Sequence, residues 1–189
     1  MKLTPEDATQ NLFDHPNTKP NVIAAIDLGS NSFHMVVASN EDGRLKIIDR
    51  IREMVRLSAG LGDSRKLDEE AMERALACLQ RFGQRLRDMH ADNVRAIGTN
   101  ALRSAKKTGA FLQQAELALG HPIEIISGIE EARLIYQGTN YAISRPYDQR
   151  IVVDIGGGST ELIIGEGVRP IHMESLFMGC VSILSLIHI

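Results

Sequence analysis

One phrase occurs twice in this chain. An apolar run, an aspartate, a glycine turn carrying hydroxyl or amide side chains and a second apolar run make up VIAAIDLGSNSFHMVVA at residues 22–38 and again IVVDIGGGSTELIIG at residues 151–165. Each copy describes a β-hairpin. An aspartate at the end of a buried strand contributes nothing to packing, and a glycine turn beside it can aim several backbone N–H groups at one anion. Two copies suggest two related lobes whose turns face one polyphosphate.

The rest of the pattern fills in the first lobe. Residues 1–20 contain Pro5, Pro16 and Pro20 without a sustained period and read as a loose arm. After the first hairpin, the turn signal at residues 40–43 leads to a third strand over residues 44–55. Asp68 is placed to cap a helix whose apolar stripe is Met72, Leu76, Leu79, Phe82, Leu86 and Met89. A strand at 94–98, one helix from Thr99-Asn100 to about Leu119, a strand at 123–126 and a helix at 130–140 follow. The expected fold is α/β with the order β-β-β-α-β-α-β-α, its sheet covered by crossover helices. The first lobe spans 21–144, a linker with Pro146 spans 145–150, and a second lobe begins over 151–183 with two strands and a third near 171–175. Residues 184–189 show neither helical period nor turn and read as an off-pattern tail, foreign to the lobe. The second lobe is thus expected to be incomplete, and the chain as written an inactive fragment.

Chemistry concentrates in the turns. Gly156, Gly157 and Gly158 allow positive φ and let an oxyanion approach without a Cβ in the way, and Ser159 adds a hydroxyl donor. Asp154 and Glu161 flank that turn and can hold Mg²⁺ against a phosphate that they would otherwise repel; the alternative is a plain hairpin turn. Asp27, Gly29, Ser30, Asn31 and Ser32 repeat the arrangement with fewer glycines and more side-chain donors. At the next strand-to-helix junction, Asn100 and Arg103 can meet an anion, or act as a cap and a solvated arginine. Lys106 and Lys107 fit either role. Glu130 and Glu131 open a helix, where carboxylates complement the dipole; one of them, turned into the cleft, can serve as a general base for water. His34 reads as a packed histidine, and Cys78 and Cys180 as packing residues.

Composition excludes other classes. A formal charge of -3 gives no general reason to bind nucleic acid or an anionic membrane. No apolar run reaches the roughly 18 to 20 residues of a membrane span. The two cysteines form no CxxC or Cys/His cluster and, with no signal-peptide pattern, suggest reduced thiols in a cytoplasmic protein.

IDLGSNSFHMVVA, GTNALRSAKK, IEIISGIEEARLIYQG and VVDIGGGSTELIIG, in that order over residues 22–182, resemble the exopolyphosphatase and guanosine pentaphosphate phosphohydrolase family of the sugar kinase, Hsp70 and actin superfamily. The resemblance implies RNase H-like (actin-like ATPase) lobes, an interlobe cleft, Mg²⁺, a homodimer, and hydrolysis of the terminal phosphoanhydride of inorganic polyphosphate or of guanosine 5'-triphosphate 3'-diphosphate (pppGpp). It implies that Glu131 is the catalytic base, Asp154 and Glu161 the acidic metal positions, residues 156–159 and 27–32 the phosphate turns, and Arg103 a basic phosphate position. Of the two substrates, the resemblance of GGGST and SFHMVVA favours polyphosphate, so an exopolyphosphatase is expected, with pppGpp hydrolysis the alternative. A kinase of the same fold and a non-hydrolytic polyphosphate or (p)ppGpp-binding module are the further competitors.

Overall fold

The structure, a computed structural model, describes residues 21–41, 43–62, 64–143 and 149–187. The expected N-terminal arm and most of the expected linker lie outside those residues. Strands β1 (Asn21–Leu28), β2 (Phe33–Glu41) and β3 (Arg44–Glu53) form an antiparallel meander. Strands β4 (Val94–Gly98) and β5 (Ile123–Ile125) then add in parallel on the free side of β1, giving the sheet order β3-β2-β1-β4-β5. Asp27, next to the last residue of β1, therefore lies on a central strand, near the turn that follows β4.

One face of this sheet is covered by helix α1 (Glu69–Leu86) and helix α3 (Gly109–Leu119). Alternate β1 residues Ala24, Ile26 and Leu28 are buried there with Phe33 and Met35 of β2, the period of a strand with one core face. Asp68 caps α1 as expected, its carboxylate accepting from Ala71 N–H at 2.7 Å. The buried side of α1 is rotated from the predicted stripe. Ala71, Ala75 and Cys78 are fully buried with Leu79, Phe82 and Leu86, whereas Met72, Leu76 and Met89 pack at its margin. Small residues serve close approach to neighbouring elements: a Cβ on Gly60, in the turn after β3, would lie 2.4 Å from Ala71 Cβ, and one on Gly83 would lie 2.5 Å from Ala118 O of α3.

The single helix expected from Thr99-Asn100 to Leu119 is two: α2 (Asn100–Ser104) and α3, separated by a break in which Lys107 takes φ 58°. Helix α4 (Gly128–Ala142) starts two residues earlier than predicted, capped by the Ser127 side chain, which accepts from Glu130 N–H. Though expected as the last element of the first lobe, α4 buries Ala132 and Tyr136 against Ile163 of the second sheet. That sheet is the antiparallel set β6 (Arg150–Ile155), β7 (Thr160–Glu166) and β8 (Arg169–Leu176). The Tyr136 hydroxyl donates to Gly167 O at 2.9 Å and fixes α4 on the β7–β8 turn.

Beyond the strands the chain continues as helix α5 (Cys180–Ile187), so residues 184–187, expected to follow no pattern, are helical. Cys180 opens that helix and is exposed, contrary to the packing role expected for it; Cys78 is buried. On β6, Ile151, Val153 and Ile155 are 71%, 52% and 66% exposed, so one face of the second sheet is apolar and open. Among the described residues no helix is long and apolar enough to cross a membrane.

Candidate active site

The two glycine turns meet. The first, residues 29–32, links β1 to β2, and its carbonyls are anchored behind it: Ser30 O accepts from Ser58 N–H at 2.9 Å and Asn31 O from Arg56 N–H at 2.7 Å. The second, residues 156–159, is closed by Gly156 N–H on Ser159 O at 2.9 Å. Its carbonyls are held in the same way, Gly156 O by Cys180 N–H at 2.9 Å and Gly157 O by Val181 N–H at 3.0 Å. The repeat is deeper than the hairpin phrase. In both lobes the segment after the third strand ties down acceptor oxygens of the turn.

The glycines do not act through left-handed backbone as expected: the positive-φ glycines among the described residues are Gly43, Gly120 and Gly167. They act through proximity. A Cβ on Gly158 would lie 2.2 Å from Asn100 Nδ2 and 2.9 Å from Ser30 Oγ, and one on Gly157 would lie 3.2 Å from Asn31 Cβ. The space beside Gly157 and Gly158 is taken by the first turn and by Asn100, so the phosphate-binding candidates of both lobes converge on one point. Ser30, Ser32, Asn100 and Ser159 are all buried there, and Asn31 and Gly29 are partly so. Asn100 does not cap α2, because Thr99 holds that position. His34 is half-buried, with its ring Nε2 2.8 Å from Ser32 Oγ.

Four carboxylates surround this point. Asp27 has a buried Oδ1 without a hydrogen-bond partner, and burial, then the nearby Asp154, pushes its pKa up to about 6. Glu161 is 1% exposed, and its Oε1 accepts from Ser175 Oγ at 2.8 Å. Asp154 faces Glu161 directly across the β6–β7 pair and is exposed. Glu131 lies in the first turn of α4; burial first, then the Glu161 and Asp27 charges, raise its pKa to about 7 against the opposing pull of Arg103. Arg103 Nη1 donates to Glu131 Oε2 at 3.3 Å and to Ile126 O at 2.8 Å.

Glu130 faces elsewhere. Arg133 donates to both of its oxygens at 2.7 Å, and that hydrogen-bonded pairing holds its pKa below the ordinary carboxylate value. Of the two adjacent glutamates, Glu131 is therefore the one in the cleft. Lys106 and Lys107 are exposed.

Sequence reasoning missed Ser175 and Gly128. A Cβ on Gly128 would lie 2.3 Å from Ser175 Oγ; the bare first residue of α4 thus admits the hydroxyl that holds Glu161. Nothing local to either residue signals a contact between elements so far apart in the chain. The Arg56 and Cys180 anchors were likewise unmarked.

Among the described residues no group of three or more His, Cys, Asp or Glu side chains is arranged to hold a metal ion by itself. The unpartnered Asp27 oxygen beside Asp154 nevertheless suits a hard cation, and Mg²⁺ commonly takes one or two carboxylates, with water and substrate phosphates completing its shell.

The Ppx/GppA phosphatase family model matches residues 36–187. The chain is 52% identical over 159 residues to the guanosine-5'-triphosphate,3'-diphosphate pyrophosphatase of Vibrio vulnificus (strain YJ016), covering 84% of this chain and 32% of that protein. It is 49% identical over 166 residues to the protein of the same name from Aliivibrio fischeri (strain MJ11), covering 88% and 33%. The chain thus spans about a third of the length of these curated relatives. It is similar to the solved Ppx/GppA enzyme of Aquifex aeolicus, with a TM-score of 0.75 at 30% identity over 87% of this chain and 55% of that one. The exopolyphosphatase of Cytophaga hutchinsonii gives a TM-score of 0.81 at 30% identity over 89% and 54%.

Proposed function

This chain belongs to the Ppx/GppA phosphatase family and has the actin-like ATPase fold of its solved members, and we propose that its cleft serves hydrolysis of the terminal phosphoanhydride of pppGpp. The observation that carries the chemistry is Glu131, held between the lobes with a pKa near 7 and beside Arg103. A carboxylate of that pKa accepts a proton near neutral pH and passes it on after the reaction. Glu131 takes a proton from the attacking water, oxygen bonds to the terminal phosphorus, and the bond to the bridging oxygen breaks, leaving orthophosphate and ppGpp.

The two turns supply N–H and side-chain donors, and Arg103 supplies positive charge, on the terminal phosphate. Asp27 and Asp154, one from each lobe, are the proposed carboxylates for Mg²⁺, with Glu161 behind them; when bound, the ion supplies neutralisation of phosphate charge. Glu161 is nearly inaccessible and already bonded to Ser175, so its role is to raise the pKa of Glu131 and complete the acidic wall. The turns touch in this structure, and a phosphate enters between them only when the lobes part.

The names of the relatives at about half identity support pppGpp over polyphosphate. The polyphosphate reading is supported by similarity to the Cytophaga exopolyphosphatase. A kinase would use an aspartate to activate a substrate hydroxyl, whereas the base proposed here is a glutamate that acts on water. Orthophosphate release from pppGpp, long-chain polyphosphate and ATP, compared at equal concentration, tests the assignment: pppGpp is expected to be the fastest, and faster release from polyphosphate would reverse it.

A further inference from the structure

Two rows of side chains cross the two sheets at equivalent places. Asp27, His34 and Arg52 stand directly opposite one another on β1, β2 and β3, and Asp154, Glu161 and Ser175 do so on β6, β7 and β8. Residues directly opposite on neighbouring strands share a face of the sheet. Register therefore sets Ser175 into the row of the two acidic residues, where its hydroxyl donates to Glu161 Oε1 at 2.8 Å. That bond holds the oxygen on the β8 side of the row, away from β6, where the like charge of Asp154 stands.

The same hydroxyl lies against the helix that carries the proposed base. A Cβ on Gly128, the first residue of α4, would come within 2.3 Å of Ser175 Oγ and 3.5 Å of Arg103 Nη2. Glu131 follows three residues later, on the same side of the helix, and accepts from Arg103. The bare Gly128 thus lets Ser175 and Arg103 meet at the first turn of α4. After burial, the Glu161 charge is the largest influence that raises the pKa of Glu131, so where Glu161 is held bears on the base. Packing alone asks for none of this: a carboxylate only 1% exposed is costly to bury, and an apolar side chain would fill its place without a partner.

We propose that Ser175 is a positioning residue for hydrolysis in this cleft: its hydroxyl fixes Glu161 between β8 and the first turn of α4, and so fixes the carboxylate against which Glu131 is set. The proposal rests on the reading of Glu131 as the base for water. Ser175 touches neither the reacting water nor the phosphate, and acts through Glu161.

Phosphate release from pppGpp and from long-chain polyphosphate is measured in a protein as long as the relatives, for the parent, Ser175→Ala, Glu161→Gln and the double variant, with the folded fraction of each taken from its melting curve. Single-turnover rates keep the Glu161→Gln background measurable. Alanine is smaller than serine and meets nothing new beside Gly128, so Ser175→Ala should fold. The expected result is a loss in kcat per folded molecule of about tenfold or more, the scale of a small misplacement near the reacting groups, with KM within about twofold. In the Glu161→Gln background the same change should cost less than about twofold, because the carboxylate through which Ser175 acts is already gone. A lower melting temperature with kcat per folded molecule unchanged would make the hydroxyl structural and overturn the proposal. Equal losses with and without the Glu161 carboxylate, or a rise in KM alone, would overturn it too. A parent that releases phosphate from neither substrate would instead sink the reading of the cleft, and the role of Ser175 with it.

Discussion

Replacing Glu131 by glutamine should make the chain more stable at pH 8 and leave it nearly unchanged at pH 4.5. The glutamate's pKa is raised from 4.5 to about 7 by burial and by the Glu161 and Asp27 charges. Folding therefore favours its protonated form. The stabilising share is complete below the unfolded value of 4.5, falls away as the pH rises toward 7, and is lost above the folded value, where the ionised side chain carries the full cost. The difference corresponds to about 3 kcal/mol. The Glu131 side chain is 15% exposed and Arg103 lies beside it, so screening and relaxation reduce the recoverable gain to about 1–2 kcal/mol. Glutamine keeps the shape and an oxygen for Arg103 while removing the charge. Urea denaturation of both proteins at pH 4.5 and 8 measures the effect, and a gain at pH 8 that shrinks to a few tenths of a kcal/mol at pH 4.5 is expected. A variant less stable at pH 8, or shifted equally at the two values, would refute the electrostatic description of the cleft.

On the proposed function, and in a protein as long as the relatives, Glu131→Ala should lower kcat by about two to four orders of magnitude with KM little changed, whereas Glu130→Ala, which removes only the surface pair with Arg133, should have little effect on steady-state phosphate release. Gly158→Ala puts a methyl group 2.2 Å from the Asn100 amide, so it should lower stability by about 1–3 kcal/mol in denaturant titration. Gly157→Ala, with its closest contact at 3.2 Å, should cost less. Phosphate release should require Mg²⁺ and stop with excess chelator, and Asp154→Asn should raise the Mg²⁺ concentration needed; full turnover in chelator would remove the metal from the account.

Much of the fold was legible because its signals are local. Apolar, β-branched runs marked β1 and β2, and Asp68 before an apolar period marked the start of α1. The break after Ser104 left no such mark: the segment SAKKTG has no proline, and its only glycine opens α3. The side of the chain to which α4 belongs was also hidden, since an amphipathic face specifies that it will be buried and not against which sheet. In the site, both turns and the acidic residues beside them could be read from composition at fixed positions. The choice between Glu130 and Glu131 was available too, because Arg133 stands three residues after Glu130 and pairs with it on the solvent side of the helix. The Ser175–Glu161 bond and the Gly128 contact depend on how β8 meets α4 and have no local signature.

The central proposal, that Glu131 directs water onto the terminal phosphorus of pppGpp, is tested most directly by turnover in ¹⁸O-labelled water with a protein as long as the relatives, and with Glu131→Ala alongside. The account predicts one solvent oxygen in the released orthophosphate, none in ppGpp, and loss of labelled product in the variant. Label in the ppGpp product, or undiminished labelled orthophosphate from the variant, would contradict it.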